Sequence, residues 1–196
     1  EEIKTIHKDF LDVKNNKSSP ETEQNIKLEL PKGFQTLFEC KNSVIGRKMY
    51  DYLLNKRKIE EEDILRYRLG MTQEDRQFEN RIIFPSFDKN GELNFYVGRL
   101  IYDGKMKYLC SRNEKHKIVI NELNIDFKKP LTIVEGYFDF LKVNQNATFL
   151  AGSELSHNSK LFEEIVKNKT VVYLALDADA KKKTMKLADK FARYGI

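Results

Sequence analysis

Apolar positions recur at helical intervals in three parts of the N-terminal half of the chain. The spacing predicts helices in residues 46–57 and 60–67, with Gly70 as a stop after the second. Residues 3–13 have the same spacing, and the polar, proline-containing residues 15–21 separate them from the rest of the chain. We therefore expect an N-terminal arm and a linker ahead of the first packed part of the chain.

The spacing then changes to short apolar runs that are typical of β-strands. The predicted strands are residues 81–87, 94–101, 107–110 and 117–120. Residues 88–91 end in Asn-Gly and residues 102–105 contain Asp-Gly, which are favoured in tight turns between antiparallel neighbours. This part of the sequence therefore predicts an antiparallel sheet.

After Pro130 the pattern alternates between strands and helices. The predicted strands are residues 131–135, 147–151 and 170–176, and the predicted helices are residues 137–143, 159–167 and 181–194. Three β-α units in series indicate a parallel sheet with right-handed crossovers. Another strand would be due after Ile196, so we expect the chain to stop within or just beyond this domain.

Composition narrows the class of protein without fixing its function. The 196 residues are 40% hydrophobic and 33% charged, and the formal net charge is +5. No apolar run approaches the roughly 20 residues that cross a bilayer, and Glu1-Glu2-Ile3 is unlike a secretory signal, so a cytoplasmic protein is expected. The positive balance is compatible with nucleic acid, although a solvated basic surface has the same composition.

Cysteine and histidine do not predict a zinc site or a disulfide framework. Cys40 and Cys110 are far apart in sequence, and His7, His116 and His157 are isolated from one another. Each of these side chains has an ordinary structural role as its simplest interpretation.

Acidic residues follow two of the predicted parallel strands. Glu135 and Asp177 each follow a strand directly, Asp179 comes two residues later, and Asp139 opens the helix after Glu135. Ligands of parallel sheets gather at the carboxyl ends of the strands, where such carboxylates would meet and attract Mg²⁺. The alternative is that an Asp after a strand, Asp179 in particular, only caps the next helix.

These acidic segments resemble motifs of bacterial- and phage-type DNA primases. Residues 134–139, V-E-G-Y-F-D, resemble V-E-G-Y-x-D, residues 176–179 resemble the D-x-D motif, and residues 151–156 resemble a G-T-A-L-T segment. The resemblance implies that Glu135 is catalytic and that Asp177, Asp179 and Asp139 bind metal. Ala178 replaces a usual Gly, residues 180–183 replace an Ala-Gly step, and a further D-P-D motif would fall beyond the chain.

The antiparallel part is similar to the same family. Residues 80–85 resemble N-R-I-x-F-P, residues 88–99 resemble D-x-x-G…G-x-R, residues 107–111 resemble K-Y-L-N-S, and residues 52–70 resemble Y-L-x-x-R-G…G. The resemblance covers about residues 30–196. It implies nucleotide or nucleic-acid binding by Asn80, Arg81, Arg99, Lys107 and Tyr108. Without it, Arg99 and Lys107 would be ordinary exposed strand residues and Tyr108 a core residue.

The resemblance implies an α/β fold class, in which an α+β N-terminal subdomain precedes a Toprim-like parallel α/β domain. The expected divisions are an arm and linker in residues 1–29, a basic subdomain in residues 30–129 and the Toprim domain in residues 130–196. The catalytic face is expected in the cleft between the two subdomains.

The implied activity is that of a primase catalytic core, which makes short RNA primers on single-stranded DNA during replication. A 3′-hydroxyl attacks the α-phosphate of the next ribonucleoside triphosphate, and pyrophosphate leaves. The implied cofactor is Mg²⁺, with Mn²⁺ as a substitute. The implied partners are the single-stranded DNA template, ribonucleoside triphosphates and a replicative helicase, and no membrane is expected.

Two other functions stay open at the level of sequence. One is a Toprim-type nuclease or strand cleaver, although no Tyr stands out as a topoisomerase-like nucleophile. The other is a non-catalytic primase-like module that only binds DNA or a helicase, which the altered residues 177–183 favour. Lys181, Lys182 and Lys183 in that segment are interpreted as a solvated helix face or as contacts to an incoming nucleotide.

Overall fold

The structure is a computed structural model that describes residues 27–143, 146–152 and 154–196. The predicted helix in residues 3–13 and the linker in residues 15–21 lie outside the described residues. The N-terminal helices are α1 (Leu37–Cys40), α2 (Val44–Asp51), which continues as a π-helix over Tyr52–Arg57, and α3 (Glu61–Arg66). Ser43 caps α2 by accepting a hydrogen bond from the Gly46 amide, which explains why the helix begins before residue 46.

The predicted antiparallel sheet is confirmed. It is formed in chain order by β1 (Gln35–Thr36), β2 (Gly70–Met71), β3 (Arg81–Phe87), β4 (Leu93–Leu100) and β5 (Tyr108–Cys110). At the turn between β3 and β4, the Asp88 side chain accepts hydrogen bonds from the amides of Asn90 and Glu92. These bonds stabilise the tight reversal that the Asn-Gly sequence predicts.

The predicted strand in residues 117–120 is wrong. A short 3-10 helix, Lys115–Lys117, is followed by irregular backbone. Val119 and Ile120 are buried, which explains the apolar run, but their carbonyl groups accept hydrogen bonds from the side chains of Asn94 and Thr148. Side chains therefore satisfy the backbone here in place of a strand ladder.

The alternation after Pro130 forms a three-stranded parallel sheet, as predicted. Its strands are β6 (Leu131–Val134), β7 (Ala147–Phe149) and β8 (Val172–Ala175), in the order β7-β6-β8. The helices are α4 (Tyr137–Leu141), α5 (Lys160–Asn168) and α6 (Lys181–Ala192), with 3-10 turns at Glu122–Asn124 and Ala178–Ala180. The fold is therefore of the mixed α/β class.

One hydrophobic core extends across both sheets. The Phe84 ring of β3 has its centroid 5.8 Å from that of Tyr67, 5.5 Å from that of Phe140 and 5.5 Å from that of Phe149. Phe140 and Phe149 belong to the parallel part, and Tyr67 belongs to the N-terminal helices. Packed side chains thus cross the predicted division at residue 130, and the division itself stays a prediction.

A second hydrophobic cluster covers the other face of the parallel sheet. Leu131 and Ile133 of β6 pack there together with Ile165, Phe162 and Phe191 from the flanking helices. Because β6 is covered on both faces, its apolar residues are nearly continuous, as is usual for parallel strands. Within the described residues, no helix is long and apolar enough to cross a membrane.

Candidate functional site

Two of the predicted carboxylates emerge at the same edge of the parallel sheet. Val134 at the end of β6 is in register with Ala175 at the end of β8, so Glu135 and Asp177 follow neighbouring strand ends. Both residues line a cavity of about 330 Å³, together with Asp139. Asp179 is exposed on the adjoining 3-10 turn and does not line this cavity.

Gly136 allows the Asp139 carboxylate to lie against the start of α4. A Cβ atom at Gly136 would stand 3.3 Å from Asp139 Oδ2, which is closer than ordinary van der Waals contact. Gly136 is also the N-cap of the helix, and Asp139 lies in its first turn, where the helix dipole favours negative charge. The Glu-Gly sequence therefore brings two acidic side chains close to one backbone turn.

Asp179 does not cap the helix that follows it. Ala180 occupies the N-cap position of α6. Asp177 occupies the N-cap position of the 3-10 turn but makes no side-chain capping hydrogen bond. The alternative interpretation of Asp179 as the cap of the next helix is therefore wrong.

Mutual repulsion acts on Asp177. Partial desolvation at the cavity raises the pKa of the Asp177 carboxyl, and the negative charges of Asp139, Glu135 and Asp179 raise it further. Lys183 opposes this rise in the pKa. Three neighbouring carboxylates therefore act on Asp177 through space, which favours a cation beside it.

The Lys183 ammonium is the cation that contacts Glu135 in this structure. Lys183 Nζ lies 2.8 Å from Glu135 Oε1, although the two residues are 48 positions apart. The second oxygen, Oε2, is buried and has no hydrogen-bond partner. The sequence analysis places Lys183 on a solvated helix face or near nucleotide, and no local pattern could have identified its contact with Glu135.

The donor set of the cavity fits a hard divalent cation. Glu135, Asp139 and Asp177 supply carboxylate oxygens, which Mg²⁺ prefers, and the buried Oε2 atom of Glu135 lacks a partner. In residues 27–143, 146–152 and 154–196, no three Cys, His, Asp or Glu side chains already form a metal-holding group. A divalent ion would therefore have to draw the carboxylates together.

Arg81 is a buried residue whose side chain is hydrogen-bonded to the backbone. The side chain is 6% exposed, and it donates hydrogen bonds from Nε to the Gln77 carbonyl and from an Nη atom to the Met106 and Lys107 carbonyls. Burial lowers the pKa of its guanidinium. A Cβ at Gly98 would stand 3.1 Å from the Arg81 Cδ atom, so the glycine leaves room for the arginine to cross β4.

Arg99 and Tyr108 form an aromatic-cation pair on neighbouring strands. The guanidinium carbon of Arg99 lies 4.6 Å from the Tyr108 ring centroid, and its buried Nε atom has no hydrogen-bond partner. Tyr108 is 46% exposed and also lines the acidic cavity. Its exposure differs from the core position that spacing alone would favour.

The remaining predicted binding residues differ in their surroundings. Lys107 is exposed beside Tyr108, and its backbone carbonyl accepts a hydrogen bond from the Leu100 amide. Asn80 has φ of 59° before β3, in the left-handed region that Asn tolerates better than most residues, and its carbonyl accepts from the Ile101 amide. Binding by these residues stays a prediction.

Tyr137 is a feature of the cavity that the sequence analysis does not single out. The side chain is 1% exposed and lines the cavity, and its hydroxyl has no hydrogen-bond partner. Burial raises the pKa of Tyr137 well above 10.0, so the hydroxyl keeps its proton. Its only signal in the sequence is the Tyr within V-E-G-Y-F-D, which is equally typical of a core aromatic residue.

Sequence comparison finds one bacterial enzyme with partial similarity. No family model matches the chain. A DNA primase of Clostridium acetobutylicum is 29% identical over an alignment of 131 residues, which covers 61% of this chain. The matched segment is only 22% of the length of that primase.

Structural comparison finds primase catalytic cores. The E. coli primase catalytic core superposes with a TM-score of 0.60 at 19% identity, over 78% of this chain and 62% of that core. The RNA polymerase domain of Mycobacterium tuberculosis primase DnaG gives a TM-score of 0.61 at 13% identity, over 79% of this chain and 67% of that domain. A DnaG catalytic domain bound to single-stranded DNA gives a TM-score of 0.56 at 20% identity, over 71% of this chain and 58% of that domain.

Proposed function

From a chain that has the fold of DnaG primase catalytic cores, we propose that this protein provides the catalytic core of a DNA primase. The proposed reaction is template-directed synthesis of short RNA primers on single-stranded DNA. The observation that carries the proposal is that Glu135, Asp139 and Asp177 line one cavity at the carboxyl ends of parallel strands in that fold. Residues 130–196 would be its Toprim domain.

Each cavity carboxylate has a proposed task. Asp177 and Asp139, with the adjoining Asp179, would hold Mg²⁺, or Mn²⁺ as a substitute. When bound, the ions would neutralise phosphate charge and assist the departure of pyrophosphate. Glu135, once its ion pair with Lys183 is broken, would hold metal with the three aspartates or assist transfer of the proton of the attacking 3′-hydroxyl.

The cationic edge beside the cavity is proposed to bind the template and the nucleotide. Tyr108 exposes a ring on which a base can stack, and Lys107 and Arg99 can face phosphates. A related catalytic domain bound to single-stranded DNA supports a single-stranded template. Asn80 and Arg81 would support this surface from beneath, and a replicative helicase is a further predicted partner.

The test is primer synthesis on single-stranded DNA with ribonucleoside triphosphates and Mg²⁺. We expect Asp177→Ala to lower the rate at least about 100-fold, because the substitution removes a proposed metal ligand, while the fold stays intact. Asp189→Ala is the matched control, since Asp189 is an exposed acid on α6 that does not line the cavity. Primer synthesis retained by Asp177→Ala would refute the proposal.

A non-catalytic DNA-binding module is the second candidate function. The observation that favours it is the ion pair between Lys183 and Glu135, which neutralises the proposed catalytic carboxylate. If this candidate is correct, the unmodified protein binds single-stranded DNA but makes no primer at any Mg²⁺ or Mn²⁺ concentration. Cleavage of labelled DNA without nucleotides would instead identify a nuclease.

A further inference from the structure

The Lys183 ammonium is held beside the acidic cavity by a short contact with Glu135. Its ammonium lies 2.8 Å from Glu135 Oε1, and the two side chains are only 31% and 27% exposed. Ion pairs on open surfaces are usually much more exposed and contribute little, whereas partial burial strengthens the attraction. The contact is therefore a defined element of the acidic site.

Lys183 also lines a second cavity, beside the acidic one. This cavity, of about 260 Å³, is lined by seven residues, Glu154, Leu155, Lys182, Lys183, Lys186, Leu187 and Lys190. Lys190 is fixed there by a 2.7 Å hydrogen bond to the Leu155 carbonyl. Lys183 thus lines the lysine-rich cavity while its ammonium contacts a residue that lines the acidic one.

We propose that Lys183 is an internal competitor of the divalent cation, a step that rests on the proposed metal-dependent function. Without metal, the ammonium neutralises Glu135 and limits repulsion among the carboxylates. A divalent ion that takes Glu135 as a ligand displaces the ammonium, which turns out into solvent. Lys183 is therefore a positioning residue that lowers the affinity of the site for metal and holds Glu135 in place until metal arrives.

The physical basis of the competition is charge and space. Glu135 Oε1 cannot bind both the ammonium at 2.8 Å and a metal ion at the roughly 2.1 Å typical of Mg²⁺ ligands without bringing two cations together. Two cations that close repel each other strongly at a partly buried position. Metal binding must therefore break the ion pair, and removing the lysine removes that cost.

The experiment is Mn²⁺ titration of the full chain, with free Mn²⁺ measured by electron paramagnetic resonance. We expect Lys183→Met to bind Mn²⁺ about three- to tenfold more tightly than the unmodified protein, which corresponds to losing one modest ion pair. Lys182→Met removes the same charge from the neighbouring position, which makes no ion pair in the described structure, and should change the affinity less than about twofold. Lys183→Gln, which keeps a donor without the charge, should bind with intermediate affinity.

A second readout monitors Lys183 in the unmodified protein. Acylation of its amine, located by mass spectrometry of peptides, should become faster when Mn²⁺ saturates the site, because the ammonium leaves the partly buried contact. Lys186, which lines the lysine-rich cavity and not the acidic one, is the internal control and should react at an unchanged rate.

Several outcomes overturn the inference. They are equal or weaker Mn²⁺ binding by Lys183→Met, an equal gain in Lys182→Met, unchanged acylation of Lys183, and no Mn²⁺ binding by any of these proteins. Primer synthesis by the unmodified protein combined with any of the first three outcomes leaves the proposed function standing, whereas no Mn²⁺ binding by any of the proteins contradicts both the inference and the metal-dependent function. If Lys183→Met binds Mn²⁺ more tightly but the unmodified protein makes no primer, the proposed primase function is refuted and the inference about Lys183 is kept.

Discussion

The acidic edge of the parallel sheet, with Glu135, Asp139 and Asp177, differs from the cationic edge of the antiparallel sheet, with Arg81, Arg99 and Lys107, in how its charged groups are paired. At the acidic edge, partial desolvation and then the neighbouring carboxylates raise the pKa of Asp177, and Glu135 Oε2 is left without a partner. At the cationic edge, Arg81 is buried and donates to three carbonyl groups. The acidic edge therefore holds negative charge that its own residues leave partly unpaired, whereas the Arg81 side chain is paired with backbone carbonyl groups.

The largest expected effect tests the structural role of Arg81. Arg81→Ala should lower the free energy of unfolding by about 2–3 kcal/mol, because three carbonyl groups lose a charged donor and a buried stem is removed. Urea unfolding measures the change, and Lys107→Ala, an exposed cation on the same edge, should stay within about 0.5 kcal/mol. Equal effects of the two substitutions would remove the distinction between scaffold and surface.

At the acidic edge we expect a substitution to increase stability, by less than Arg81→Ala decreases it. Folding raises the pKa of Asp177, so its ionised form costs stability at neutral pH, and that cost disappears as the pH falls through the raised pKa. Asp177→Asn should therefore raise the thermal midpoint at about pH 7 in the presence of EDTA, and the gain should shrink toward about pH 4.

The control for this measurement is Asp189→Asn, which changes an exposed carboxylate outside the cavity. Its midpoint should match that of the unmodified protein throughout the titration. A midpoint for Asp177→Asn that falls at neutral pH would mean that the carboxylate is stabilised by a partner rather than repelled by its neighbours.

The smallest effect concerns the hydroxyl of Tyr137, at the border of the two edges. Tyr137→Phe should leave the free energy of unfolding unchanged or raise it by up to about 1 kcal/mol, because a buried hydroxyl without a partner is removed. Tyr50→Phe is the matched control, since the Tyr50 hydroxyl is also buried without a partner but does not line the cavity. If Tyr137→Phe lowers the free energy of unfolding and Tyr50→Phe does not, the Tyr137 hydroxyl makes a hydrogen bond at the cavity.

Much of the fold could be predicted because local patterns determine it. The strand predicted in residues 81–87 forms β3 with the same bounds, and the helix predicted in residues 181–194 matches α6 closely. The prediction for residues 117–120 fails because side chains from distant positions satisfy their backbone. Apolar spacing reports burial, and it cannot report which partner satisfies a carbonyl group.

The candidate site was predictable only in part, for a related reason. The topology of a parallel sheet places Glu135 and Asp177 at one edge wherever their two strands are neighbours, so their approach follows from the β-α alternation. The contact of Lys183 with Glu135 depends on the rotation of α6 against the sheet, which local sequence does not encode. Likewise, a motif can identify Arg81 without saying that its donors face carbonyl groups.

The aromatic cluster around Phe84 makes the two sheets one cooperative unit. Its rings come from both sides of residue 130, so loss of either sheet would expose rings of the other to water. Thermal unfolding measured by calorimetry should accordingly give one transition whose van't Hoff and calorimetric enthalpies agree. The cavity would then lose its shape only when the whole structure unfolds, because the residues at both edges pack on the same hydrophobic core.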